Sequence, residues 1–279
     1  MPDEDHPFPI DQSHVLLTSF NTFLTVAIHN ILYYRRLYPQ QTFLSSRAYN
    51  LPVHQNRHPK VCTWITDAVK SVASQLSTGQ VSRVAVVIHS PLDSDTFSFS
   101  PSPSFPESIP PGSVLERFTF DTSHFPTWPT NMTKHARIIA KDMRSEKLRS
   151  MIYDHPSLNL TDLNQQFRAC LLKMAHTMEA LSPLPEGCTF TLAVELKDEA
   201  SAPIGHPQDW IPSEPSDPSP SDPKGKNKYF PPSRSETGAT VKTTPVRVVE
   251  AGPLWFECWV EESKAKVAWT EMTASQESI

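Results

Sequence analysis

Near the N-terminus, Leu16, Phe20, Phe23, Ala27, Ile31, Tyr34 and Tyr38 recur at steps of three and four, the spacing that lines side chains up on one stripe of an α-helix. Leu17, Leu24, Ile28 and Leu32 widen the stripe to more than half of the surface, which predicts a helix buried between other layers. Asn21, His29, Asn30, Arg35 and Arg36 break the apolar run, so no membrane span is expected. Pro39 is expected to end the helix, because proline lacks an N–H and disfavours helix in the residue before it. A short extended piece is predicted at Ala48–Val53. Pro59 then opens a second helix to about Leu76, with Val61, Ile65, Val69, Val72 and Leu76 inward and Trp64 beside that stripe.

Further along, Val81–His89 is a near-continuous β-branched run, suited to a strand covered on both faces, and Val114–Asp121 alternates as its hairpin partner. The segment between them is too long and too rich in proline and serine for a hairpin turn. Residues 122–157 are polar, with a short helix expected around Ala136–Met151. Leu160, Leu163, Phe167, Leu171, Met174, Met178 and Leu181 keep helical spacing and predict a central helix over Leu158–Leu181. Cys188–Lys197 alternates with Phe190, Leu192, Val194 and Leu196 on one face. Residues 198–244 carry no secondary-structure period and hold two apolar islands, Asp209–Pro212 and Lys228–Pro232. Pro245–Glu262 again reads as strand, and only weak helical character is expected from Ser263 onward.

Composition narrows the class. Twenty-eight prolines against seven glycines, mostly clustered, predict one domain of roughly 180 ordered residues interrupted by insertions. A formal net charge of −5 argues against a basic nucleic-acid groove, so neither direct nucleic-acid binding nor membrane association is expected. Cys62, Cys170, Cys188 and Cys258 are widely spaced at mostly apolar positions and read as buried thiols. The acidic start, lacking an apolar core, predicts no signal peptide, hence an intracellular reducing compartment in which the sequons at Asn131 and Asn159 are accidental.

No catalytic constellation stands out. The glycines never cluster into a phosphate loop, and HExxH, GxSxG and CxxC are absent. His54 and His58 have helical spacing but fall in a segment that reads as loop, so a metal pair is not expected. An enzyme is therefore the poorer hypothesis, and no cofactor is expected.

Three groups of words carry a family resemblance: ILYYRRLYP, then YNLPV and HPKVCTWI, and later PEGCTFT. In this order they resemble the HORMA domain, most closely the Mad2B-like accessory, non-catalytic subunit of translesion DNA polymerase zeta. The resemblance implies an α+β fold with a mainly antiparallel sheet on three helices and a C-terminal safety belt that has two states. The implied domain spans 14–262, after a disordered tail at 1–12 and before a tail at 263–279. The Pro/Ser-rich insertions read from composition fall at about 90–113, 122–157 and 212–244, the first a departure from the short connection usual in the family, and the implied belt at about 198–262. It further implies an adaptor that clamps a peptide of the polymerase zeta catalytic subunit and links it to other translesion factors, in the nucleus with the cytoplasm as second compartment. The rival within the family is a spindle-checkpoint-type adaptor.

The same resemblance carries site residues. Trp64, Trp210 and Tyr38 match peptide contacts, and Arg168 matches a position in the surface for HORMA homo- or heterodimers. Thr243, Glu257 and Trp259 match the surface that docks a Y-family deoxycytidyl transferase scaffold, with side chains that differ from the commonest pattern. Pro231, Pro232, Ser233 and Arg234 resemble the end of the catalytic subunit's own peptide and are a candidate self-ligand inside the belt.

Overall fold

Helix α1 (Ile10–Tyr34) is the element against which the others pack: Leu16, Phe20, Phe23, Leu24, Ala27, Ile28, Ile31 and Leu32 are all fully buried, and the helix touches β2, α2 and α3. Of the described helices it alone is long and apolar enough to cross a bilayer, but those side chains are spent on the core. The computed structural model describes residues 10–92, 111–126, 158–198, 200, 210–211 and 240–276. The helix expected at Ala136–Met151 and the self-ligand run at Pro231–Arg234 lie outside them.

The remaining elements follow in order: β1 (Phe43–Ala48), β2 (Leu51–Asn56), α2 (Pro59–Leu76), β3 (Val81–His89), β4 (Val114–Asp121), α3 (Leu160–Ala180), β5 (Thr189–Leu196), β6 (Thr240–Ala251), β7 (Leu254–Ser263) and α4 (Lys264–Gln276). Strands β1 and β2 form a separate hairpin, and the other five form one antiparallel sheet in the order β5-β3-β4-β7-β6. One face of that sheet meets α1 and α3 through an aromatic cluster. Phe23 stacks on Phe167 at 4.6 Å, and Phe20 and Phe256 meet edge to face at 5.3 Å. Phe125, in the stretch that reads as polar, joins this cluster against Phe20 at 5.0 Å.

Several boundaries differ from the expectation. The insertions expected at 90–113 and 122–157 are narrower at their rims, because Ser90, Ser113 and Thr122 are buried and hydrogen-bonded across the β3–β4 pair. Helix α1 starts at Ile10, so Gln12 and Ser13 are buried inside its first turns, not part of a tail. It ends at Tyr34, not at Pro39, because Arg36 adopts a left-handed φ of 54°. The Arg36 N–H then bonds Tyr33 O at 3.1 Å and the Leu37 N–H bonds Leu32 O at 3.1 Å, the paired bonds of a Schellman stop. The extended piece expected at Ala48–Val53 is strand at Ala48 and at Leu51–Val53 but is broken by a hairpin turn at Tyr49–Asn50. Tyr49 and Asn50 have φ of 49° and 58°, as a type I′ turn requires, and Ala48 pairs with Leu51. His54 accordingly lies in a strand. The third insertion stops before Thr240, since 240–244 are already β6.

The larger correction is at the C-terminus. Instead of a weakly helical tail, α4 follows β7 directly and is anchored. Ser263 caps it, its Oγ accepting the Lys266 N–H at 3.2 Å while donating to Val114 O. Among the described residues it is thus the fourth α-helix to pack on the fold, beyond the three expected around the sheet.

Candidate functional site

Strand β5 is an edge. Among the described residues its only sheet neighbour is β3, so one side of its backbone is left unpaired. The contrast with β3 is physical. Val84 through Ile88 are buried on both faces, whereas Phe190, Leu192, Val194 and Leu196 of β5 stay half-buried although they point at the core.

Three aromatic side chains converge at the start of that edge. Trp64 projects from α2, 43% exposed, and its ring meets Phe190 edge to face at 4.9 Å. Tyr38, in the turn after α1, approaches the same ring at 6.5 Å and 83°, and burial raises the pKa of its hydroxyl. Two of the three expected peptide contacts are therefore brought together, around a residue that sequence alone did not single out. Phe190 read as an ordinary inward position of an alternating strand, and nothing local marks a strand as an edge. The third, Trp210, is half-buried against the main core while its neighbour Ile211 is 83% exposed.

The other expected residues lie elsewhere. Arg168 is half-buried on α3, one turn before the exposed Leu172. Glu257 and Trp259 alternate on β7, and Thr243 pairs with Glu261, so all three share one face of the last hairpin. That face is pre-set: the Trp259 indole N–H donates to Glu261 Oε1 at 2.7 Å, and the Arg83 guanidinium sits 5.7 Å over the ring.

A buried ionic cluster was not foreseen, because each member reads singly as a surface charge. Arg35 at the end of α1 donates through Nε and Nη2 to both oxygens of Glu116 on β4, at 2.8 and 2.6 Å. Its remaining N–H groups reach Met178 O at 3.1 Å and Ser182 O at 2.7 Å. Lys266 of α4 enters from the opposite chain end and donates to Ser182 O at 2.7 Å and Pro183 O at 2.6 Å, with Glu116 Oε1 at 3.4 Å. Burial lowers the Lys266 amine's pKa from its usual value, and Glu116 partly restores it.

Among the described residues no group of side chains resembles a reaction centre. A groove of about 500 Å³ between α1, the β1–β2 hairpin and α2 is lined by Thr18, Asn21, Thr25, His29, His54 and Lys70 among others, and contains no carboxylate or thiol. His54 is stacked on Tyr33 at 3.4 Å, His58 precedes α2, and no group of metal-ligating side chains occurs among the described residues. All four cysteines are free, and burial pushes the Cys188 thiol up to about 12, away from reactivity. Asn159 spends its side chain capping α3, its Oδ1 accepting the Asp162 N–H at 3.0 Å.

Comparison with known proteins agrees with this geometry. The family model for the HORMA domain matches residues 17–240. The DNA polymerase zeta processivity subunit of Schizosaccharomyces pombe is 33% identical over 248 residues, 87% of this chain and 91% of that one. MAD2B of Bos taurus is 30% identical over 179 residues, 64% of each chain. A chain in the crystal structure of the mitotic checkpoint complex superposes with a TM-score of 0.55 at 18% identity, over 91% of this chain and 97% of that one. C. elegans HTP-2 bound to a HIM-3 closure motif gives 0.50 at 10% identity, over 94% and 98%; at such identities both speak to fold alone. With a family match over most of its length and this extent of similarity, the chain belongs to the HORMA domain family, on its Mad2B-like accessory-subunit branch, and is a non-catalytic adaptor.

Proposed function

We propose that the chain clamps an extended peptide of the catalytic subunit of DNA polymerase zeta on the unpaired edge of β5, beneath the segment that joins β5 to β6. The observation that carries this is the open edge with Trp64, Tyr38 and Phe190 gathered at one end. An added strand would satisfy the edge backbone and place alternate side chains among the aromatics. The strand order supports a belt as well. β5 and β6 lie at opposite edges, roughly 19 Å apart at normal strand spacing. On this reading the connection from β5 to β6 crosses over the peptide, with Trp210, which packs against the core, as its anchor. A covering segment of this kind slows release without a large contact area.

The polymerase reading is favoured over a spindle-checkpoint one by similarity: 33% identity to the S. pombe polymerase subunit against 23% to MAD2A of Dictyostelium discoideum. On this reading the protein works in the nucleus. The face bearing Thr243, Glu257 and Trp259 docks a Y-family deoxycytidyl transferase scaffold, and Arg168 lies in a dimer surface. Residues 231–234 act as a weak self-ligand, tested by the effect of Pro231→Ala with Arg234→Ala on partner on-rate and self-association.

The test is binding of a labelled peptide carrying the Pro-Pro-Ser-Arg motif of the catalytic subunit. Tight, slowly dissociating binding is expected, with Trp64→Ala, Phe190→Ala and Trp210→Ala each costing about 2 kcal/mol. No binding by the folded wild-type chain, with or without residues 229–234, refutes the proposal.

A further inference from the structure

We propose that α4 is a bolt on the C-terminal hairpin, with the Lys266 ammonium seated in a socket formed by Glu116 and the carbonyls of Ser182 and Pro183, and that this seating also steadies the start of the peptide edge. The link to peptide retention rests on the function proposed above; the bolt itself does not.

The socket and its pin come from different parts of the chain. Glu116 belongs to β4, and Ser182 and Pro183 to the turn after α3, both fixed parts of the fold. Lys266 belongs to the helix that continues β7 without a linker, so the hairpin cannot leave β4 unless α4 leaves with it. A fully buried ammonium held at 2.7 and 2.6 Å by two carbonyls, 3.4 Å from a buried carboxylate, is strongly oriented. Secondary contacts follow the same path. Ser263 ties the start of α4 to Val114 O, and Thr270 Oγ1 lies 2.9 Å from Ser182 Oγ. Ala265 and Trp269 pack with Leu115, Leu184 and Cys188.

Two features make this a drawable bolt and not a permanent strut. First, Arg35 already engages both Glu116 oxygens and Ser182 O, so withdrawal of Lys266 leaves no naked buried carboxylate. Breaking a buried pair is prohibitive chiefly when the remaining charge is abandoned, and here it is not. Second, the departing ammonium regains water. The socket is also adjacent to the ligand edge: Cys188, packed under α4, immediately precedes β5, and two residues on is Phe190 of the aromatic group. Drawing the bolt therefore frees the hairpin and loosens the turn that sets Phe190.

Hydrogen exchange on the peptide-free full chain tests this, comparing wild type, Lys266→Met and a chain ending at Ser263, with the exposed Lys264→Met as control. The expected result is about tenfold faster exchange in β7 and in residues 184–190 for the first two variants, with α1 amides and the control unchanged. Unchanged β7 exchange in Lys266→Met overturns the bolt, and so does a uniform rise that includes α1, which marks α4 as general stabilisation. If the truncated chain fails to fold, Lys266→Met and Thr270→Val carry the same comparison. Peptide dissociation is then timed: a parallel acceleration extends the bolt to the clamp. Failure of wild type to bind peptide refutes the clamp while leaving the exchange result to decide the bolt.

Discussion

Phe23, stacked on Phe167 and edge-on to Phe120 at 6.0 Å, has no exposed surface and is the kind of side chain whose loss leaves a void. Phe23→Ala should destabilise the chain by about 3–5 kcal/mol in urea unfolding. Its inward position was legible from the helical stripe alone. Glu116 was not, since a carboxylate in an alternating strand reads as solvated; the arrival of Arg35 from a distant chain position makes its burial tolerable, with Lys266 a second cation beside it. Glu116→Gln should therefore cost about 3–5 kcal/mol by leaving two buried cations without their anion. A pH effect belongs to this scale too. Burial holds His14, His29, His54 and His89 below the ordinary value of 6.5. The folded state thus binds fewer protons than the unfolded one in the window below 6.5. Stability present above that pH should fall as pH drops through the window towards the depressed values, read as a lower urea midpoint at pH 5 than at pH 7.5. His29 contributes directly, because its Nδ1 accepts the Asn56 N–H at 3.3 Å and an imidazolium cannot; His29→Gln should make the acid slope shallower.

At the scale of elements, β3, β4 and α2 have the bounds their local periods predict, since each keeps one unbroken pattern from end to end. The β1–β2 hairpin was missed because Tyr49–Asn50 lacks the glycine that usually advertises a type I′ turn, although Asn tolerates the left-handed region. Asn50→Ala should cost about 1 kcal/mol and Asn50→Gly much less, measured by thermal unfolding. The β3–β4 connection makes a complementary case. Ser90 N–H bonds Ser113 O at 2.8 Å, Ser113 N–H bonds Ser90 Oγ at 2.9 Å, and Gly112 N–H bonds Pro91 O at 3.3 Å, so the hairpin closes before residues 93–110 begin. Replacing 93–110 by a short Gly/Ser linker should change stability by under about 1 kcal/mol, because loop-closure entropy varies slowly with length. Helix α4 escaped notice for the opposite reason: its apolar period is weak, and it is held by a cap and a buried ammonium whose partners lie far away in sequence.

For the whole molecule, the decisive quantity is strand order. Placing the C-terminal hairpin beside β4 leaves β5 as one edge and β6 as the other, the arrangement that the proposed clamp requires. The opposite side offers α3 with Arg168 and the exposed Leu172; on the dimer reading, Arg168→Ala should shift self-association towards monomer in sedimentation analysis. The sequence by itself determined the periodic elements, the lack of a catalytic motif and the family words, because each depends on residues close together in the chain. That β5 stands at an edge among the described residues, that Phe190 sits at its aromatic end, and that Arg35, Glu116 and Lys266 share one buried socket were decided only by tertiary structure. Pairing between strands and the burial of a charge both depend on partners scores of positions away, and no local pattern encodes them.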